Sequence, residues 1–327
     1  MEPVLLNTQL VFNGVAVGCI YGLVALGFVL IYKATEVVNF AQGELLMLGA
    51  FFAYTYIGIL GLPYWLGALL AIASMAIFGG LLDRVVMRPV IGQPTFAYVM
   101  LTIGLGIIIR AVATMIPGWG VETYSIDTPY SNAVINVAGL VISVEYLFIV
   151  IATCLLVAVL YVFFSFTRLG VAMQASSQNQ LAAYYMGIPV KSMFSMIWGI
   201  SASVAAIAGI LLAPVSLIDT SMGFIGLKAF PAAVLGGFGS IPGALVGGVI
   251  IGVIESLSGF YLPAGFKDIA AFIVLLVVLI VRPEGLFGTS TRKRSEDQLL
   301  CDSYSRPATG RTFACIATAV TSSGTAC

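Results

Sequence analysis

The chain has 327 residues, 60% of them apolar and only 9% charged, against about 25% charged in an ordinary soluble domain. Lys plus Arg balance Asp plus Glu at 14 each, which gives no footing for a nucleic-acid partner, and the absence of His removes the commonest metal ligand and neutral-pH base. The composition is that of an integral membrane protein, with no metal site, no cofactor and no catalytic residue set implied.

Taken in chain order, apolar segments near 10–32, 41–60, 63–82, 95–116, 144–166, 192–213, 229–242, 243–260 and 266–282 predict an all-α polytopic fold. The seventh and eighth are short and flank the turn GGFGSIPGA, so the count is eight or nine transmembrane or half-membrane helices. No basic stretch precedes the first apolar run, so it is expected to stay as a span rather than be cleaved. Lys33, Arg84, Arg88, Arg168, Lys191 and Arg282 fall on one side of this arrangement, while Arg110, Lys228 and Lys267 lie near the other. The larger set should face the cytoplasm, placing the N-terminus outside, the C-terminus inside and the acidic loop 117–143 outside. Residues 1–288 then form the membrane domain, and from Thr289 the sequence turns polar and is expected to be a disordered cytoplasmic tail. The five cysteines, two in apolar runs and three in the tail, show no CxxC spacing and define no disulfide framework.

The first polar break, EVVNFAQGELLMLGAF, places Asn39, Gln42, Gly43 and Glu44 together in an otherwise oily stretch. One reading is a capping box, with Asn39 as N-cap, Gln42 reaching back to its N–H, and Glu44 favoured by the helix dipole. The other is a segment that re-enters the protein below the membrane surface, so that these groups face a polar pathway, since intramembrane acids usually face a cavity or a partner. Both can hold together. A second break, KAFPAAVLGGFGSIPGALVGG, combines Pro231 and Pro242 with Gly236, Gly237, Gly239 and Ser240, and reads as a broken hairpin that also contributes to a pathway. It lacks the GxxxxGK[ST] pattern of a phosphate loop, and no such Lys occurs elsewhere, so any ATP use would belong to a partner. The loop Arg168–Met193 is long enough for a short helix along the membrane surface. Its Ala182, Ala183 and Gly187 are small, and Ala183 and Gly187, four apart, would let a groove or helix approach closely.

A weak internal repeat relates VFNGVAVGCIYGL…NFAQGELLMLGAF to SMIWGISASVAAI…LKAFPAAVLGGFG. Small-xxx-small pairs such as Gly14/Gly18, Gly18/Gly22, Gly243/Gly247 and Gly248/Gly252 fit close helix packing in lipid.

The first two polar breaks, the AAYYMGI loop and the closing RPEGLFG together resemble the permease subunits of bacterial branched-chain amino acid ABC transporters, over about residues 8–288. The resemblance implies an inner-membrane channel half that pairs with a second permease subunit or a second copy of itself. Its further implied partners are two cytoplasmic ATPase subunits, a periplasmic solute-binding protein and a small amino-acid substrate. The loop bearing Ala182, Ala183 and Gly187 would be the ATPase-coupling element. Gln42 stands where many relatives have His, and Leu181 where importer coupling loops often have Glu. The reading carried forward is a permease for leucine, isoleucine or valine. Its rivals are a urea or short-amide permease of the same superfamily and a gradient-driven transporter using Glu44 or Glu255; an intramembrane enzyme lacks a nucleophile–base pair.

Overall fold

The structure, a computed structural model, describes residues 3–288 apart from 91–92, 121, 131–132, 138–139, 179, 264 and 283–284. The polar tail expected from Thr289 lies outside the described residues. The elements are α1 (Pro3–Thr35), α2 (Gln42–Tyr54, extended by a π turn to Ile59), α3 (Tyr64–Leu82, extended by a π turn to Met87) and α4 (Thr95–Met115). Then come a hairpin of β1 (Val134–Val137) and β2 (Leu140–Ser143), α5 (Val144–Phe166), α6 (Arg168–Gln178), α7 (Gln180–Tyr185) and α8 (Val190–Leu212). A 3-10 turn (Thr220–Phe224) leads into α9 (Ile225–Gly236), followed by α10 (Ile241–Tyr261) and α11 (Phe266–Val281). Among the described residues six helices are long and apolar enough to cross a membrane: α1, α3, α4, α5, α8 and α10. The shorter α2, α9 and α11 complete a nine-segment membrane-type bundle.

Two expected boundaries move. The pair placed at 229–242 and 243–260 is an α9 of 12 residues and an α10 of 21, because the break falls at 237–240 rather than at Pro242. Pro242 sits in the first turn of α10, where its missing N–H costs nothing, and Ser240 Oγ caps that helix by accepting from Gly243 N at 3.1 Å. Pro231 lies inside α9, which therefore does not break at its proline. Within the loop 117–143, a β-hairpin pairs Val134 with Ser143 through Val137 with Leu140.

Helix packing is set by glycine. A Cβ on Gly14, Gly18 or Gly22 would fall 2.8, 2.6 or 3.0 Å from Val253, Val249 or Leu245, so α1 and α10 run antiparallel with their backbones nearly touching. Likewise Gly79 and Gly199 bring α3 and α8 together, antiparallel, at Trp198 and Ala76. α2 runs alongside α8, with Gly49 against Ala206 and Gly209 against Leu46, while α9 runs alongside α1, with Phe28 near Phe230 and Tyr32 near Phe238.

These registers define two halves, α1–α4 and α8–α11, each a long span, a half-length helix and two further helices. The half-length helices α2 and α9 start head to head and point apart: Gly43 lies against Gly223 and Gly226. The halves therefore run in opposite senses, an inverted repeat that the weak sequence match between the α1–α2 and α8–α9 stretches foreshadows. They are also interlocked, since α1 packs chiefly on α10 and α8 chiefly on α3. The end of α1, the end of α3, the start of α8 and the end of α11 share one end of the bundle, which gathers Lys33, Arg84, Arg88, Lys191 and Arg282.

Candidate functional site

The first polar break lies at the middle of the bundle. Gln42 is fully buried between Gly27, eight residues before the end of α1, and Ser201, about 16 Å along α8 at 1.5 Å per residue. The Ser201 hydroxyl has two acceptors within reach, Gly27 O at 3.0 Å and Gln42 Oε1 at 3.2 Å. Asn39 Nδ2 donates to Gln42 Oε1 at 3.4 Å, and Asn39 Oδ1 accepts from Ala41 N at 3.1 Å. The expected capping box is thus corrected. The residue preceding α2 is Ala41, with no side-chain cap, and Asn39 instead closes the turn just before it while bridging side chain to side chain to Gln42. Gln42 Nε2 is buried without a partner among the described residues.

Glu44, in the first turn of α2 and 8% exposed, receives Arg110 of α4 through two guanidinium nitrogens, Nη2 to Oε1 and Nε to Oε2, the latter at 3.4 Å. The Arg110 guanidinium also lies 4.2 Å from the ring centre of Phe224, in the turn that opens α9. A Cβ on Gly223 would fall 2.4 Å from Glu44 Oε1, so the carboxylate rests on the backbone of that turn. One ion pair therefore joins α2, α4 and the entry to α9 at the point where the two half-helices meet. The opposite half carries a similar pairing with the signs exchanged: Lys228 of α9 donates to Asp268 of α11 at 2.6 Å and to Glu255 of α10 at 3.2 Å.

A cavity of about 370 Å³ opens at the basic end and runs up to Asn39, lined by Thr35, Asp83, Tyr98, Thr102 and Trp198. Asp83 is itself buried and held by Arg88 Nε at 3.4 Å and Ser195 Oγ at 2.6 Å, both on Oδ2. Its size falls within the roughly 300–1,000 Å³ of small-ligand sites, and its mixed lining offers both hydrogen bonds and apolar contact.

The structure brings Asn39, Gln42, Gly43 and Glu44 together at mid-span. It places Gly236, Gly237, Gly239 and Ser240 elsewhere, at the far end of α9, about 18 Å away along its 12 residues. There Gly236 lets α9 and α10 touch, Gly237 turns the chain at φ 88°, and Leu286 N and Phe287 N donate to Leu235 O (2.8 Å) and Gly236 O (3.3 Å). Leu286 and Phe287 of the closing motif thus cap α9. Among the coupling residues, Ala183 is buried and Ala182 exposed, and Gly187 does not share a helix face with Ala183. It stands past the end of α7 at φ 80°, where Ile188 N bonds Ala183 O and Gly187 N bonds Tyr184 O, the pattern of a Schellman stop. Arg110, Ser201, Gly223 and Phe224 were not singled out as site residues. An Arg inside an apolar span is the one signal that could have found the first of them.

A family model described as "Branched-chain amino acid transport system / permease component" matches residues 10–281. The chain is 33% identical over 313 residues to the high-affinity branched-chain amino acid transport system permease protein LivH of Escherichia coli (strain K12), covering 88% of this chain and 97% of that one. It is 34% identical to BraD of Pseudomonas aeruginosa, a protein of the same description, covering 86% and 95%. To the probable permease LivH of Methanocaldococcus jannaschii it is 29% identical, covering 89% and 94%.

Proposed function

This chain belongs to the branched-chain amino acid transport permease family, and from that premise we propose that it forms half of the membrane pathway of an ATP-driven importer for leucine, isoleucine and valine. A second permease subunit supplies the other half, two cytoplasmic ATPases drive it, and a solute-binding protein delivers substrate from the outer face. The basic end faces the cytoplasm of a bacterial inner membrane. The observation that carries the reading is the pair of half-length helices meeting head to head at mid-span. Broken helices at this depth are tolerated where they border a pathway and are a recurrent device of transport proteins.

Asn39, Gln42, Gly43 and Glu44 form the mid-span station of that pathway, and the polar cavity below Asn39 is its route toward the cytoplasm. The Glu44–Arg110 pair ties the two half-helices together, so movement of one is felt by the other. The segment α6–α7 is the coupling element, with Tyr184, Tyr185 and Met186 exposed at its tip, 68%, 77% and 82% respectively, for an ATPase groove. A gradient-driven mechanism finds less support, because Glu44 is already engaged by a guanidinium instead of being open to a proton or sodium ion. Substrate choice among small amino acids and amides rests here on the named relatives.

The test is reconstitution in proteoliposomes with the partner subunits and binding protein. Leucine uptake should require internal ATP and the binding protein. Uptake by this chain alone under an imposed proton or sodium gradient would overturn the proposal.

A further inference from the structure

Beside the described pathway, a groove of about 1050 Å³ runs between α3, α8 and the tip of α7 at the basic end. One stripe of α3 and the 3-10 turn that follows it (Arg88–Val90) lines it, at positions 77, 80, 81, 84 and 88. The upper part of the stripe is apolar and open, with Ile77 73% and Leu81 55% exposed. Gly80 between them carries no side chain, which gives the groove its depth. One to two turns further on, the same stripe ends in Arg84 and Arg88, and Lys191 of α8 faces them. Arg88 is anchored in place by donating to Ser195 Oγ at 2.8 Å and Lys191 O at 3.1 Å, while Arg84 and Lys191 are exposed. Tyr184 of α7 closes the lower wall.

From this juxtaposition we infer that the groove binds an anionic phospholipid of the leaflet at the basic end, its phosphate among Arg84, Arg88 and Lys191 and one acyl chain along Ile77 and Leu81. Arg84 and Lys191 are the exposed cations at the end of this apolar channel, with the Arg88 guanidinium, itself paired to Asp83, beside them, and this order of charge and polarity matches a headgroup and tail. A soluble partner does not fit the upper part. Ile77 lies about 10 Å above Arg84 at 1.5 Å per residue, within the apolar span Tyr64–Val90. Because the groove touches both α3 and α7, the lipid would bridge the coupling element to a membrane span, a consequence that rests on the proposed function, whereas the binding itself does not.

The experiment is native mass spectrometry of the full chain in non-ionic detergent, titrated with dioleoyl phosphatidylglycerol, with phosphatidylcholine of the same chains, and with glycerol phosphate as competitor. Phosphatidylglycerol should be retained at least tenfold better than phosphatidylcholine, and millimolar glycerol phosphate should not displace it. Arg84→Ala and Lys191→Ala should each weaken retention about fivefold. Gly80→Phe, whose Cβ would meet Ser195 O at an ordinary 3.6 Å, fills the groove without altering charge and should lower retention of the lipid in a normally folded protein. Equal retention of the two lipids, loss to glycerol phosphate, or indifference to Arg84→Ala, Lys191→Ala and Gly80→Phe would each overturn the inference. So would loss of ATPase co-purification in those variants with lipid retention unchanged, which would assign the groove to the ATPase. The lipid-retention outcomes do not bear on whether the reconstituted complex imports leucine, so their failure and that of the proposed function are distinguishable.

Discussion

At residue scale the Glu44–Arg110 pair dominates, since the buried Glu44 carboxylate is stable as a charge only while the half-buried Arg110 guanidinium holds it. Removing one partner of a buried pair costs about 3–5 kcal/mol, whereas replacing both costs far less. Arg110→Gln and Glu44→Gln should therefore each lower the melting temperature, and the double variant should be less destabilised than the sum of the two, as read by a double-mutant cycle of thermal melts in detergent. Leucine uptake should fall markedly in Glu44→Gln even at normal membrane abundance; unaltered uptake would reduce the pair to a packing role. Gly43→Ala is a sharper steric test. Its Cβ would stand 2.0 Å from Gly223 O, so the half-helices must separate, and we expect loss of both stability and transport. The polar members on α2 were legible because they interrupt an oily sequence. Their partners were not, because Arg110 is 66 residues away and Ser201 is one small residue among many in α8, and only tertiary folding brings them together.

At the scale of elements, helix ends govern the outcome. The broken hairpin was readable from its Pro and Gly, but not which proline breaks it, since a proline in a first helical turn and one inside a helix look alike until the cap is known. The β-hairpin escaped notice because VINV and LVIS merge with the apolar run that opens α5. The capping of α9 by Leu286 and Phe287 leads to a truncation series. We propose that residues 289–327 are a separate polar tail, and a chain stopped after Gly288 should insert and transport normally. One stopped after Arg282 should leave Leu235 O and Gly236 O without their donors, at about 1–3 kcal/mol each, and show a lower melting temperature and reduced abundance. The Schellman glycine of α7 gives a second series. Gly187→Ala, strained at φ 80°, should weaken the turn by about 1–2 kcal/mol, while Gly187→Glu adds a charge at the docking tip and should also lose the ATPase subunits on co-purification. If Gly187→Glu retains both ATPases and transports normally, the coupling assignment for α6–α7 falls.

At the scale of the whole molecule, the inverted halves were the least legible feature. A repeat in opposite membrane senses conserves packing surfaces, not residues, so its trace in sequence is a few glycines and a polar break. Orientation is proposed from charge placement near span ends, which follows a simple electrostatic bias. It is checked by thiol labelling: a cysteine at Met186, 82% exposed, should react only with reagent on the cytoplasmic side, and one at exposed Glu122 only from outside. The reverse pattern would invert the proposed direction of transport.

The interlocking of the halves has a consequence for how the chain is made. α1 leaves the ribosome well before α10, yet the glycine stripe at 14, 18 and 22 packs against α10, whose residues 245–253 follow more than two hundred positions later. At about 5–20 residues per second, roughly ten to fifty seconds pass before that surface meets its mate. Through that interval α1 waits in lipid with a narrow, small-residue face open to any other helix that passes. That face is thus open to mispairing until α10 has been made, however well the spans between them have already packed.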